Sequence, residues 1–236
     1  MELTEDSPAE YCRRIEAYLC RKNDGHLIRI VGPAFEQVSG WAARGVPLKV
    51  ACHGIDRYFQ RYYAKGPRRR PIRVEFCEAD VLDVFDEWQR AVGVAASDAS
   101  AAGEDDTGRR HGSLPAHLDR VIARLTSLRG GDDRTLDDLL ETIVGELDAV
   151  RARAKTLRGA ARQTLLERLA AIDRLLLDAA RVNCDAATLA ELRTEAEAEL
   201  ASFRSRMAAD AYERAREACM DRLIRERARL PVVSFD

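Results

Sequence analysis

The chain has 236 residues, a formal net charge of −2 and an apolar fraction of 46%. This length and composition are typical of one large or two small folded domains, and they exclude an intrinsically disordered chain. The first residues lack the basic start and apolar run of a signal peptide, and no apolar stretch approaches membrane-spanning length. We therefore expect a cytoplasmic protein with no membrane partner.

The two ends of the chain differ in aromatic content. Residues 1–93 hold 11 of the 14 aromatic residues, whereas residues 114–236 are dominated by Leu, Ala, Glu and Arg. The intervening residues 94–113 show no apolar periodicity and are rich in Ala, Ser, Gly and Asp, a composition typical of linkers. We predict two domains, 1–93 and 114–236, joined by this linker.

The first helix of the N-terminal domain has a complete start signal. Ser7 is a capping residue, Pro8 suits the first helical position, and Glu10 completes a capping box. Gly25 ends this helix. The next residues, 26–31, have the sequence HLIRIV, which predicts a small strand or an extended connection.

Two further helices follow, with a glycine-containing turn between them. One restarts at Pro33 and stops at Gly45, and the other begins at Pro47 and runs to about residue 65. The second carries apolar residues along one narrow arc and basic residues on the opposite side. This is the layout of a helix-turn-helix motif, which many helical hairpins share without binding DNA. Residues 77–93 form a further amphipathic helix.

The C-terminal domain is predicted to be helical throughout. Periodic leucines predict three helices between residues 114 and 182, and a fourth helix, capped by Asp185, is expected to run to about Arg229. Its apolar residues recur in threes and fours, as in a coiled-coil seam, and it would be about 66 Å long. We predict an all-α fold in which residues 114–230 form a helical bundle or coiled coil that mediates self-association.

The chain ends in the sequence RLPVVSFD. Pro231 stops the last helix, and residues 230–236 are expected to continue in extended form. This segment can dock onto a protein partner or fold back on the protein's own helices, and the sequence leaves both alternatives open.

Charge is segregated in the middle of the N-terminal domain. Residues 44–73 contain nine basic residues and one acid, and residues 75–87 contain six acids and no base. A cationic face binds polyanions through counterion release, and guanidinium groups pair bidentately with phosphate oxygens. We predict that this surface contacts nucleic acid, DNA in preference to RNA. The predicted contact residues are Lys49, Arg57, Arg61, Lys65, Arg68, Arg69, Arg70 and Arg73.

Two alternatives to nucleic-acid contact remain open. The basic loop can pair with the acidic helix that follows it, or it can bind an acidic protein partner. In the second case the chain would be a scaffold protein whose long helix carries the function. Tyr63 is the tyrosine expected to be exposed for stacking on bases, whereas Tyr62 is expected in the core.

The sequence predicts neither a catalytic site nor a cofactor or metal site. His53 and Asp56 lie three residues apart on one helix, a spacing common on helix surfaces, and no nucleophile is placed beside them. The six cysteines contain no C-x-x-C pair and do not follow zinc spacing. Phosphate-binding glycine motifs and G-x-S-x-G are absent as well. We expect free thiols, no metal, no cofactor and no enzymatic activity.

A tryptophan, a glycine turn and two amphipathic helices follow one another between residues 41 and 88. Trp41 precedes the turn at Gly45, Ile55 lies in the next helix, and the segment 76–88 begins with Phe and closes on Trp. This span resembles the C-terminal helical domain of DnaD-type primosomal proteins. It departs from that family at GPRRRPIR, where the family has a short polar linker, and the C-terminal helices have no counterpart. The resemblance implies DNA binding coupled to self-assembly or to recruitment of a replication partner.

Overall fold

The structure is a computed structural model that describes residues 7–64, 66, 70–94, 113–128 and 134–235. Three of the predicted contact residues, Lys65, Arg68 and Arg69, and nearly all of the predicted linker lie outside these ranges. Within them the chain is helical and holds no β-strand, which confirms the predicted all-α class. None of the helices in the described ranges is both long and apolar enough to cross a membrane.

Nine α-helices account for most of the described residues. They are α1 (Pro8–Lys22), α2 (Pro33–Ala43), α3 (Leu48–Tyr63), α4 (Glu78–Ala91), α5 (Leu114–Leu128), α6 (Arg134–Arg151), α7 (Gly159–Val182), α8 (Ala186–Leu200) and α9 (Ala209–Arg227). Two 3₁₀ segments, Val74–Cys77 and Ala201–Arg206, precede α4 and follow α8.

Helix α1 begins as the sequence predicts. The backbone N–H of Glu10 donates a hydrogen bond of 3.2 Å to the hydroxyl of Ser7, and Pro8 occupies the first turn. The capping interaction satisfies one of the N–H groups that a helix start leaves without an intrahelical partner.

The structure corrects the prediction of one continuous last helix. The 3₁₀ segment Ala201–Arg206 separates α8 from α9. Phe203 lies in this interruption and is buried, with its ring centroid 5.6 Å from that of Trp88 and 6.4 Å from that of Phe85. Burying a large aromatic side chain outweighs the helical hydrogen bonds lost at the interruption, and the apolar spacing along the sequence does not report that balance.

The chain divides into two compact units. The first comprises Met1–Ala101 and Glu195–Cys219, and the second comprises Ala102–Thr194 and Met220–Asp236. Residues 195–219 therefore belong with the N-terminal helices, in contrast to the predicted boundary at residue 114.

In the first unit, α3 and α4 pack against each other at very short range. A Cβ placed on Gly54 of α3 would lie 2.4 Å from the Cα of Val81 on α4, so only glycine allows this approach. Residues 195–219 are tied to α4 by a buried carboxylate. Glu199 Oε2 accepts hydrogen bonds from the indole N–H of Trp88 at 2.8 Å and from the thiol of Cys219 at 3.3 Å.

In the second unit, leucines of α5, α6 and α7 form one apolar core. Asp173 of α7 receives two hydrogen bonds from the guanidinium of Arg225, at 3.1 and 2.6 Å, and one from the backbone N–H of Val233 at 2.7 Å. Val233 is completely buried in the core, and the ring of Phe235 lies 5.2 Å from that of His117. The C-terminal segment therefore folds back on its own unit.

Candidate nucleic-acid interface

Helix α3 carries three of the predicted contact residues. Its buried residues, among them Ile55 and Phe59, form the face that packs on α4. Because Arg57 and Arg61 are four residues apart, they lie on the same side of the helix. Lys49 lies two turns earlier and is not part of this pair.

Arg57 is surrounded by carboxylates of α4. Its Nη1 lies 3.0 Å from Glu87 Oε1, and two further pairs, to Asp80 at 3.8 Å and to Asp83 at 3.9 Å, complete the arrangement. The three acids recur at the spacing that places them along one face of a helix. The acidic helix therefore neutralises this arginine of α3, whereas the internal pairing left open as an alternative concerned the basic loop.

Arg61 binds the same helix through a buried acid. Its Nη2 lies 2.6 Å from Asp80 Oδ2, and Asp80 is buried although Arg61 itself is 61% exposed. The carboxylate has lost most of its water, so the guanidinium supplies the hydrogen bond that the burial requires. From the sequence, Asp80 was only one of the six acids of residues 75–87, and its burial was not predicted.

Lys49 has a different partner. Its Nζ lies 2.9 Å from Glu195 Oε1, an acid from the stretch that sequence analysis assigned to the other domain. Arg57 and Arg61 of α3 thus both pair with acids of α4, whereas Lys49 pairs with an acid elsewhere in the unit.

The loop between α3 and α4 holds the remaining predicted contacts, of which Arg70 and Arg73 are described. Arg70 is exposed and forms no ion pair with any residue in the described ranges. Arg73 Nη2 lies 2.6 Å from Glu75 Oε1, and its side chain is 67% exposed. Exposed pairs of this kind contribute about 0–1 kcal/mol, so Arg73 can exchange its partner at little cost.

The end of this loop is fixed by Asn23, which follows α1. Its side-chain amide donates to the carbonyl oxygens of Leu19 at 2.9 Å and Ile72 at 3.0 Å, and its Oδ1 accepts from the N–H of Ile72 at 2.7 Å. Asn23 and Ile72 are both buried. Sequence analysis missed this clamp, because an Asn near a helix end predicts a cap and says nothing about a segment 49 residues away.

Four aromatic residues form a cluster beside the loop, called here the ring cluster: Tyr58, Tyr62, Tyr63 and Phe76. Tyr58 stacks on Tyr62 at 5.9 Å and on Phe76 at 6.5 Å, and Tyr62 meets Tyr63 edge-on at 5.4 Å. The guanidinium of Arg61 lies 5.4 Å from the centre of the Tyr58 ring. Phe76 is 59% exposed and Tyr63 is 40% exposed, whereas Tyr62 is half-buried rather than a full core residue.

Asp56, three residues after His53 on α3, has two partners on α1. Asp56 accepts a hydrogen bond of 2.7 Å from the hydroxyl of Tyr18 and forms an ion pair of 2.8 Å with Lys22. Burial and this hydrogen bond to the carboxylate raise the pKa of Tyr18 above its ordinary value, because both favour the protonated phenol.

Two cysteines of this unit, Cys52 and Cys77, have raised pKa values, which makes their thiols poor nucleophiles. Burial, with a smaller contribution from Asp56, raises the pKa of Cys52 to about 11. Burial and the nearby Asp80 raise the pKa of Cys77 to about 12. All six cysteines are free thiols, and no group of three potential metal ligands occurs among the residues that the structure describes. The lack of enzymatic activity stays a prediction.

No family model, no curated protein and no solved structure matches the chain. The resemblance to DnaD-type proteins, the contact with nucleic acid and the self-association of the C-terminal helices therefore stay predictions.

Proposed function

We propose that the protein is a nucleic-acid-binding accessory protein that takes up an unpaired strand at the ring cluster and the arginine-rich loop. The observation that supports this most directly is the exposure of Phe76 and Tyr63 beside a loop rich in arginine. Single-stranded nucleic acids bind where aromatic rings stack on bases and cations track the phosphates.

In this proposal nucleic acid contacts the loop and the ring cluster, and not the outward side of α3. A duplex laid along that side would bring its phosphates close to Asp83 and Glu87, the acids that pair with Arg57. Like charges repel at that range, so a groove-reading role for α3 is disfavoured. Along the loop the cations outnumber the acids: Glu75 pairs with Arg73, whereas Arg70 is exposed, and the rings beside it are uncharged.

Fluorescence anisotropy with a labelled single-stranded oligonucleotide tests the proposal. The stacking contribution predicts that Phe76→Ala weakens binding about tenfold. Changing Arg68, Arg69 and Arg70 to Ala should reduce the slope of log affinity against log salt by about 2, since each phosphate contact on a single strand contributes about 0.7.

A matched control removes the same charge elsewhere. Arg153, Arg158 and Arg193 are exposed arginines of the second unit, and their triple change to Ala should leave the salt slope unaltered. Equal binding by the wild type and both triple variants would exclude the loop from the binding site and overturn the proposal.

A second candidate is an interaction protein whose basic surface binds an acidic protein partner. It is supported by the pairing of Arg57 with three carboxylates of α4, because this surface already accommodates protein carboxylates. Polyglutamate distinguishes the two candidates. An acidic-partner protein would bind polyglutamate at least as tightly as the oligonucleotide, and Phe76→Ala would not change its affinity.

A further inference from the structure

Residues 26–31 connect α1 to α2 and belong to no helix or strand. Burial alternates along it: Ile28 and Ile30 are buried, whereas Leu27, Arg29 and Val31 are exposed. This period of two is the pattern of a β-strand that covers a core with one face.

Alternate residues of this segment are fastened to α1. The backbone N–H of Ile28 donates to the sulfur of Cys20 at 3.3 Å, and the N–H of Ile30 donates to Glu16 Oε2 at 2.8 Å. The thiol of Cys20 also lies 3.6 Å from the carbonyl oxygen of Ile28, to which it donates. Two residues of a strand span about 6.7 Å, and four residues of a helix span about 6 Å, so the two spacings match. Side chains of α1 therefore fasten one edge of the segment.

The opposite edge of the segment makes no hydrogen bond to any residue that the structure describes. In an extended chain the N–H and C=O groups of successive residues point to opposite sides, so those of Leu27, Arg29 and Val31 point away from α1. None of these groups has a hydrogen-bond partner among the described residues. A row of unpaired backbone donors and acceptors along a fastened edge is a template for another extended chain.

The exposed side chains along this edge indicate which residue types a pairing segment would have. Leu27 is 75% exposed and Val31 is 68% exposed, and between them Arg29 is exposed and forms no ion pair within the described ranges. Cross-strand neighbours stabilise a sheet when apolar residues face apolar residues and opposite charges face each other.

We propose that residues 26–31 are a docking edge for an extended segment of a partner protein. The partner segment carries a carboxylate residue, and the residues two positions before and after it are apolar. The partner would bind by strand addition, with its backbone paired to Leu27, Arg29 and Val31 and its carboxylate opposite Arg29. This site is independent of the proposed nucleic-acid contact.

A second copy of the chain fits this edge less well. Antiparallel self-pairing centred on Arg29 places two guanidinium groups directly opposite each other, which destabilises a sheet. Self-pairing centred on either neighbouring isoleucine leaves each Arg29 opposite an aliphatic side chain. A partner with a carboxylate at this position avoids both penalties.

The test begins with selection of random short peptides displayed on phage against the full-length protein. Enriched peptides are expected to alternate apolar, acidic and apolar residues at every second position. Arg29→Pro removes an edge N–H as well as the charge, whereas Arg29→Ala removes only the charge and is its matched control. The enriched peptide should lose at least about tenfold more affinity for the proline variant than for the alanine variant, since an edge hydrogen bond and the fit of its neighbours are lost.

A measurement that needs no protein variant tests the same point. Methylating the peptide nitrogens at alternate residues should abolish binding for one alternation and leave it within about twofold for the other, because only one set of N–H groups faces the docking edge. Equal effects of the two alternations would overturn the proposal, as would selection that enriches no peptide able to distinguish wild type from Arg29→Pro. A dimeric wild type that Arg29→Pro converts to a monomer would also overturn it, since a second copy would then occupy the edge.

Discussion

The two units of this protein are both helical, yet they are held together in different ways. The first adds several specific contacts to its buried apolar residues: the close approach at Gly54, the clamp of Asn23 and the buried Glu199. The second depends on a continuous leucine core in which the carboxylate of Asp173 is buried and paired with Arg225. Specific contacts hold a surface in one geometry, whereas an apolar core tolerates variation in its exact packing. The candidate sites lie in the first unit, the one built from specific contacts.

Gly54→Ala is expected to have the largest effect and to test this contrast directly. The added methyl would meet the backbone of Val81 at 2.4 Å, and backbone cannot move aside as a flexible side chain does. We expect a loss of about 3 kcal/mol or more in the free energy of unfolding, measured by chemical denaturation. Gly40→Ala in α2 is the control, because its Cβ would meet nothing within 4 Å. Equal stability of the two variants would mean that α3 and α4 are not in such close contact.

Asp173→Ala tests the hydrogen bonds that the buried carboxylate of Asp173 accepts in the second unit. The change leaves Arg225 and the N–H of Val233 without their acceptor in a largely buried site, so we expect a loss of about 3 kcal/mol. It should also release the C-terminal segment, detected as faster amide exchange at Val233. Slow exchange at Val233 in this variant would show that apolar packing alone holds the segment.

Asn23→Ala tests the clamp beneath the basic loop. It leaves the N–H and the C=O of Ile72 buried and unpaired, and we expect a loss of about 2 kcal/mol. His26→Ala, at an exposed nearby position without a positive φ, is the control. If the clamp positions the loop, oligonucleotide affinity should fall in Asn23→Ala under conditions where the variant is still fully folded.

Gly145→Ala is the counterpart of Gly54→Ala in the second unit. Gly145 lies in α6 of the second unit, and its Cβ would meet nothing within 4 Å. We expect a gain of about 1 kcal/mol from helix propensity alone, seen as a higher midpoint of denaturation. A loss of stability would reveal a packing requirement in the second unit similar to that at Gly54.

The smallest effect is expected for an exposed ion pair of the second unit. Arg168 donates two hydrogen bonds to Glu146, at 2.6 and 2.7 Å, and this interaction lowers the pKa of the Glu146 carboxyl. A lowered folded-state pKa stabilises the fold above the unfolded pKa and ceases to do so as the pH falls through the folded value. Arg168→Gln should therefore be slightly less stable than wild type at neutral pH, and the difference should disappear in acid. A difference that persists in acid would point to lost packing instead.

Several features follow from the sequence because they depend only on near neighbours in the chain. The cap at Ser7 and the helix starts at Pro8 and Pro33 require no knowledge of the fold. The basic and acidic stretches were visible in the same way, and the alternative in which they pair with each other was stated from the sequence.

Only the tertiary structure decided which charges meet and where the helices break. Arg57 and Arg61 bind Asp80 because the close approach at Gly54 brings α3 onto α4. Helix α8 ends before Phe203 because that ring is buried against residues more than a hundred positions earlier. These outcomes depend on contacts between distant residues, and the free energy of such contacts is absent from any local pattern of residue types.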